Sequence, residues 1–338
     1  MSEAFILPPR AAALLAFLVA GCGGGGGGNG WPVLPPAPAP APAPATSLKL
    51  EGSIDLPRSY TAADLAARAP VTQTVTYTSG SGSGSQTKIY TGANLWSLLA
   101  DAGIQLDASR KNDVLGRYVV ATGADGYRSI FSLGEIHPEF GNRASIVAYA
   151  AVTGGSSAPL DEVDGPFRVT APTDIKGGRY VSSLVKLQVQ PSAALTAGVG
   201  GGTSASFRVS GQVATAATYD IAALKGLPAV TQTVAGTAYT GVSLWTLLNT
   251  IGLKPPAGKN PTLAMYAVAT GSDGYRALVS LGEIDPGFGN NGAMVAYEIN
   301  GAGLGANGMA RLVIPGEVKQ GRLVSNLIAI EVLAATGP

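Results

Sequence analysis

One segment of the chain occurs twice. Residues Ala121–Asn142 read ATGADGYRSIFSLGEIHPEFGN, and Ala269–Asn290 read ATGSDGYRALVSLGEIDPGFGN, so sixteen of the 22 aligned positions are identical. Shorter matches lie on both sides of this segment and in the same order, including VTQTV, YTG with LW and LL, and GR with VS. Self-similarity over this length indicates two copies of one folding unit.

The 338 residues have room for two ordinary domains beside the N-terminal segments. We predict five parts. They are a lipoprotein signal peptide at 1–22, a Gly-rich and Pro-Ala linker at 23–46, a first domain at 47–190, a linker at 191–203 and a second domain at 204–334.

The N-terminus predicts export and a lipid anchor. An apolar run of eleven residues at 11–21 is too short to cross a bilayer but suits a signal peptide. It ends in Val-Ala-Gly before Cys22, which resembles a bacterial lipobox, so we expect Cys22 to be lipidated; the alternative is a plain signal peptide with an incidental cysteine. The Pro-Ala repeat that follows is typical of an extended spacer. Gly23 after the cysteine favours the outer membrane, by analogy with other bacterial lipoproteins.

Composition excludes several classes of function. The formal net charge is +1 and no basic run is present, so we expect no nucleic-acid partner. The single cysteine rules out an intrachain disulfide and any zinc or iron–sulfur site that needs several sulfur ligands.

Within each copy, the patterns predict an α+β fold. Alternating segments at 48–54 and 71–76, a short apolar segment at 118–121 and further segments at 146–152, 167–170 and 180–189 indicate strands, as do their counterparts in the second copy. Residues 93–102 and 242–251 place leucines on one helical face, and the Asp-Gly pairs predict hairpin turns. We expect Thr61 and Thr218 to be helix N-caps.

The ordered motifs resemble the molybdopterin-binding domain of the sulfite oxidase family. They are YTGVSLWTLL, a strand ending in DGY, VAYEINGAGL, ARLVIPG and GRLVSNLIAIEV, all in the second copy, with weaker matches in the first. The resemblance implies two tandem copies of a mixed-sheet, sulfite-oxidase-like molybdopterin-binding fold. It also implies a molybdenum-ligating cysteine after an early strand, but neither copy has one, and the signal lacks the twin-arginine pair expected of exported family members. We therefore expect no bound cofactor, with molybdopterin as the alternative.

The candidate ligand residues are basic side chains repeated in both copies, each of which could hold an anion such as a pterin phosphate. They are Arg128, Arg276, Arg179, Arg322, Lys176 and Lys319. The alternative for Arg128 and Arg276 is an ion pair with Glu135 or Glu283, and the alternative for the other four is a solvated turn.

Other candidates have a structural interpretation that we favour. Asp125 and Asp273 are expected to stabilise their turns, and Arg168 and Arg311 to be structural. His137 has no histidine counterpart in the second copy and is expected to be a loop residue. Weaker alternatives are a carboxylate or cation site made by Glu135 and Glu283 with the two turn aspartates, and a calcium site at Asp161, Glu162 and Asp164.

These features predict an envelope lipoprotein, anchored in a membrane and without catalytic activity. Its two domains would act as a binding or structural module for an anionic small molecule or an envelope protein. The alternative is a molybdopterin-dependent oxidoreductase or an accessory subunit of one.

Overall fold

The computed structural model describes residues 46–79 and 84–335. The predicted signal peptide, Cys22 and nearly all of the 23–46 linker lie outside the described residues, as do residues 80–83 of the Ser-Gly insert. The described residues belong to one compact unit that contains both copies of the repeat. We call the copies the first repeat and the second repeat.

The first repeat contains ten strands and three short α-helices among its described residues. The strands are β1 Leu48–Gly52, β2 Arg58–Tyr60, β3 Pro70–Thr78, β4 Ser85–Asn94, β5 Arg117–Gly123, β6 Arg128–Ser132, β7 Ile146–Thr153, β8 Ser156–Pro159, β9 Arg168–Val169 and β10 Leu184–Pro191. The α-helices are α1 Ala62–Ala66, α2 Leu95–Asp101 and α3 Leu133–Ile136, and short 3-10 helices occupy Asp113–Gly116 and Gly177–Arg179.

The second repeat has the same order of strands and α-helices. Its strands are β11 Phe207–Gly211, β12 Ala217–Tyr219, β13 Ala229–Val234, β14 Thr237–Ser243, β15 Met265–Gly271, β16 Arg276–Ser280, β17 Met294–Ile299, β18 Ala302–Gly303, β19 Arg311–Val313 and β20 Leu327–Ala334. Its α-helices are α4 Ile221–Lys225, α5 Leu244–Ile251 and α6 Leu281–Ile284, and its 3-10 helices are Pro261–Ala264, Gly305–Asn307 and Gln320–Arg322.

Each repeat builds one mixed and one antiparallel sheet, which confirms the α+β class. The mixed sheets have the strand orders β2-β1-β10-β5-β6 and β12-β11-β20-β15-β16, with β1 parallel to β10 and β11 parallel to β20. The antiparallel sheets have the orders β3-β4-β7-β8 and β13-β14-β17-β18, with β9 and β19 beside β7 and β17. The two halves therefore share one topology.

The predicted leucine faces of α2 and α5 are buried, as amphipathic helices require. Leu98, Leu99, Leu247 and Leu248 are fully buried in the cores of their own repeats. A third cluster joins the repeats, because Tyr118 and Tyr266 lie with ring centroids 4.6 Å apart. No helix among the described residues is long and apolar enough to cross a membrane.

Two local predictions need correction. Thr61 caps α1 as expected, but Asp220 caps α4, where its carboxylate accepts the Ala223 amide; Thr218 lies in β12 instead, opposite Arg208. The last strand of each repeat begins four residues later than predicted, at Leu184 and Leu327, because a 3-10 turn and a bend occupy the preceding residues.

Candidate ligand-binding cleft

The repeated segment lies where the two repeats meet. The amides of Val318 and Lys319 in the second repeat donate to the carbonyls of Phe140 and Glu139 in the first. In the opposite direction, the amide of Ile175 donates to the carbonyl of Phe288. The FGN turn of each repeat thus supports the GR turn of the other, in a nearly twofold arrangement.

Arg322 is buried at this boundary, with 1% of its side chain exposed. Its Nη1 and Nη2 donate to the Glu283 carboxylate at 3.0 and 2.7 Å, and its Nε donates to Glu317 at 3.0 Å. Further bonds run from Nη2 to Glu317 and from Nη1 to Ser132 Oγ of the first repeat at 3.3 Å. These contacts use all five guanidinium donors, so none is left for a ligand.

Arg179 occupies the matching position. Its Nε and Nη2 donate to Asp174 at 2.7 and 2.6 Å, and its Nη1 donates to Glu135 at 2.7 Å. Glu135 also accepts from Ser280 Oγ of the second repeat at 3.3 Å. The carboxylates of Glu135 and Glu283 therefore pair with Arg179 and Arg322, and not with the Arg128 and Arg276 of the alternative interpretation.

The cores of the repeats make close contact through glycines. A Cβ on Gly134 would lie 2.6 Å from Cδ of Arg322, and a Cβ on Gly282 would lie 2.5 Å from Cδ of Arg179. Only glycine allows each arginine to cross the helix of the other repeat at this distance. The close approach of the arginine from the other repeat therefore explains the glycine in SLGEI.

Burial and the two arginines shift the pKa values of the carboxyl groups at this boundary. Burial raises the pKa of Glu135, against the opposing effect of the nearby Arg179. Burial also raises the pKa of Glu317, although Arg322 acts in the other direction. For Glu283 burial is outweighed by the charge and hydrogen bonds of Arg322, so its pKa is lowered.

The remaining predicted ligand residues have different surroundings. Arg276 donates through Nη1 and Nη2 to the carbonyls of Ala194 and Thr196, so it holds the linker between the repeats. Arg128 is half-buried, and its Nη1 is buried with no hydrogen-bond partner among the described residues. Lys319 is exposed and pairs with Glu139 across the boundary.

Lys176, unlike its counterpart Lys319, lines a cleft. The cleft has a volume of about 430 Å³ and lies against the first repeat. Its cationic lining comprises Lys88, Arg168, Lys176 and Lys259, and its aromatic lining comprises Tyr77, Tyr127, Tyr180 and Phe288. Of the six predicted ligand residues, the structure places only Lys176 in this cleft.

Arg168, which the sequence predicts to be structural, is a cation of the cleft wall. Its guanidinium carbon lies 5.5, 5.7 and 5.6 Å from the ring centroids of Tyr77, Tyr90 and Tyr180. It pairs with Asp164, which also accepts from Lys88 at 2.9 Å and from the Tyr90 hydroxyl at 2.8 Å. Guanidinium over aromatic faces is a stabilising arrangement that keeps the charge close to the cleft.

Two buried polar atoms in this wall have no partner in the described structure. They are Nε of Arg168 and the hydroxyl of Tyr180. Arg168 and Tyr180 are 6% and 4% exposed, and both line the cleft. Because a buried polar atom without a hydrogen bond costs about 1–3 kcal/mol, such atoms indicate a place where a ligand or solvent completes the bonding.

The second repeat lacks most of this wall. Tyr180 is replaced by Leu323 and Asp164 by Asn307, and the hairpin that carries Tyr77 is shortened to Val234–Thr237. Its corresponding cleft, about 330 Å³, is lined in part by Gly201 and Gly202 of the linker. The linker is tied there, since the Gly201 amide donates to the carbonyl of Ser272. The two repeats therefore differ at the cleft.

The other candidates are accounted for by local structure. Asp125 and Asp273 accept the amides of Tyr127 and Tyr275 at 2.9 and 3.0 Å, which confirms their role in the turns. His137 packs on Trp96 with ring centroids 4.1 Å apart, and its Nδ1 accepts the Glu139 amide.

The described residues contain no cluster of three or more His, Cys, Asp or Glu side chains that could hold a metal ion. In the predicted calcium segment, the carboxylate of Asp164 is occupied by Arg168, Lys88 and Tyr90. Its amide donates to Asp161 Oδ1, so these two aspartates stabilise a turn.

Molybdopterin, implied by the family resemblance, fits this cleft only in part. The cations suit the phosphate of a pterin cofactor, but the only cysteine of the chain, Cys22, lies outside the described residues. Hydroxyl groups such as that of Tyr77 are poor replacements for a thiolate ligand to molybdenum. The described residues therefore supply a cleft lined by cations and no thiolate.

No family model matches the chain, and no curated protein matches it. Among solved structures, the chain is similar to the sulfane dehydrogenase SoxCD from Paracoccus pantotrophus, with 15% sequence identity and a TM-score of 0.36. That alignment covers 84% of this chain and 78% of the other. The similarity is weak, and the interpretation of the cleft depends on its own residues.

Proposed function

We propose that the protein is an envelope lipoprotein whose two sulfite-oxidase-like repeats form a binding module for an anionic small molecule. In this proposal it has no oxidoreductase activity of its own. The observation that carries the binding function is the cleft of the first repeat, where four cations outnumber the two carboxylates of Asp125 and Asp164. A concave site with converging charged groups and aromatic walls is typical of small-molecule binding.

The buried arginines support the non-catalytic part of the proposal. Arg179 and Arg322 occupy the place where the resembled family carries a basic residue near its cofactor phosphate, and both pair with carboxylates at the repeat boundary. Their charge stabilises the junction of the repeats. The binding function then rests on Lys88, Arg168 and Lys176, and on Lys259 from the second repeat.

A second candidate is a molybdopterin-dependent oxidoreductase or an accessory subunit of one. The same cationic cleft favours it, because a pterin phosphate is also an anion. Metal and pterin analysis of protein purified from its native envelope separates the two. Stoichiometric molybdenum would overturn the proposal of a non-catalytic module, and its absence from protein that still binds phosphate would support it.

Calorimetric titration of the purified full-length chain with inorganic phosphate tests the binding function directly. We expect saturable binding that weakens as ionic strength rises, since charged groups at a solvent-facing cleft are screened by salt. Lys176→Ala should weaken it, whereas Lys319→Ala, at the matching turn of the second repeat, should not. Equal phosphate binding by both variants and the wild type would place the anion elsewhere.

A further inference from the structure

The second repeat forms one wall of the first-repeat cleft. Lys259, Asn260 and Phe288 belong to the second repeat and line the cleft together with Lys176 and Gly178 of the first. A cleft made from both repeats could not be complete in a single copy.

Hydrogen bonds hold this second wall in place. Asn260 Nδ2 donates to the hydroxyl of Tyr127 at 3.1 Å, and that hydroxyl donates to the carbonyl of Gly178 at 2.7 Å. Phe288 packs directly on Gly178, where an added Cβ would lie 2.5 Å from its ring. The backbone of Asn260 is left-handed, with φ of 46°, and fixes the turn that carries Lys259. The position of Lys259 over the cleft is thus set by contacts with the first repeat.

The charges of the cleft are only partly compensated. The Asp164 carboxylate is shared by Arg168 and Lys88, and Asp125 accepts the Tyr127 amide at the cleft edge. Lys88 also lies 3.7 Å from the Asp161 carboxylate, whereas Lys176 and Lys259 form no ion pair among the described residues, which leaves an excess of two cations in the lining without an ion-pair partner. A bound group with two negative charges would balance this excess.

We propose that the cleft binds a dianion between Lys176 of the first repeat and Lys259 of the second, so that the ligand connects the two repeats. This inference rests on the proposed anion-binding function and specifies its ligand class and the residues that contact it. Duplication then has a chemical consequence, because the second copy completes the binding site of the first.

The chain contains a matched control for Lys259. Lys111 precedes Asn112, whose Nδ2 donates to the hydroxyl of Tyr275 at 3.0 Å, as Asn260 does to Tyr127. Lys111 therefore occupies the same position over the second-repeat cleft. That cleft has Leu323 in place of Tyr180, and among its described lining residues Lys111 is the only cation.

The experiment compares full-length wild type, Lys259→Ala and Lys111→Ala by calorimetry with sulfate, a dianion, and methanesulfonate, a monoanion. We expect Lys259→Ala to weaken sulfate binding roughly tenfold, the scale of losing one close charge at a partly exposed site. Lys111→Ala should leave sulfate binding unchanged. Wild type should bind methanesulfonate more weakly than sulfate. Melting temperatures of the variants should match the wild type, because both lysines are exposed.

Two results would overturn the inference while leaving the proposed function intact. One is sulfate binding by wild type that Lys259→Ala does not change. The other is equal affinity for methanesulfonate and sulfate. Failure of wild type to bind phosphate and sulfate at all would instead remove the proposed function, and the inference with it.

Discussion

Replacement of Arg322 by alanine distinguishes a structural role from a ligand-binding role. The side chain donates five hydrogen bonds and pairs with the carboxylates of Glu283 and Glu317, which are 0% and 2% exposed. Breaking a buried ion pair by removing one partner costs about 3–5 kcal/mol, because the other charge is left buried. In domains of somewhat smaller size, each kcal/mol of lost stability lowers the melting temperature by roughly 2–4 °C. We therefore expect the melting temperature of Arg322→Ala to be about 6–20 °C lower.

The loss should depend on pH in a defined direction. Without Arg322, burial would raise the pKa of Glu283, as it already does for Glu317. When the pKa of a carboxyl group is higher in the folded than in the unfolded state, the protein loses stability as the pH rises from the unfolded-state pKa to the folded-state pKa. The destabilisation by Arg322→Ala should therefore be smaller at pH 5 than at pH 7.

Differential scanning calorimetry of wild type and Arg322→Ala at both pH values measures this effect. Lys319→Ala serves as the control, because its pair with Glu139 is exposed and surface pairs contribute little to stability. If Arg322→Ala kept the melting temperature of the wild type and lost phosphate binding, the structural role would be refuted. Arg322 would then be assigned to ligand binding.

Two further predictions concern His137 and Cys22. Burial lowers the pKa of His137, so NMR titration should give a midpoint below that of a free histidine. The protein should therefore lose stability as the pH falls from the pKa of His137 in the unfolded chain to its lower pKa in the folded protein. His137→Asp, which copies Asp285, should keep the amide acceptor and lose this pH dependence; an unchanged dependence would assign it to another group. Cys22→Ser should move the protein from the membrane to the soluble fraction, and continued membrane association would contradict lipidation at Cys22.

Local patterns in the sequence predicted many of the strands and helices, but not the interior strands β4 and β14 of the antiparallel sheets. The alternation in VTQTV, the leucine spacing around Leu98 and the Asp-Gly turns each depend on contacts within a few residues, so they predict strands, helices and hairpins correctly. Cap assignment was harder at α4, where Thr218 and Asp220 are both suitable residues and the strand pairing of Thr218 with Arg208 decided between them.

The cleft was less accessible to prediction because its residues come from distant parts of the chain. Lys88, Arg168 and Lys259 meet only after both repeats have folded against each other. One signal was available, since Tyr77 and Tyr180 have no aromatic counterparts in the second copy. Another was the Lys-Asn pair at 111–112 and 259–260, which recurs although the surrounding residues differ.

The identity between the two repeated segments can be explained by the junction that they form. Each SLGEI helix must accept the arginine of the other repeat beside its glycine, and each FGN turn must receive the GR turn of the other. A substitution in either copy would disturb a contact made by both, so the two copies are under the same packing constraint. Positions 180 and 323 line the clefts and take no part in these reciprocal backbone hydrogen bonds, which leaves them free to differ. The segment that is most similar between the two repeats is therefore the one that forms their junction, and we expect the binding function where the two repeats differ.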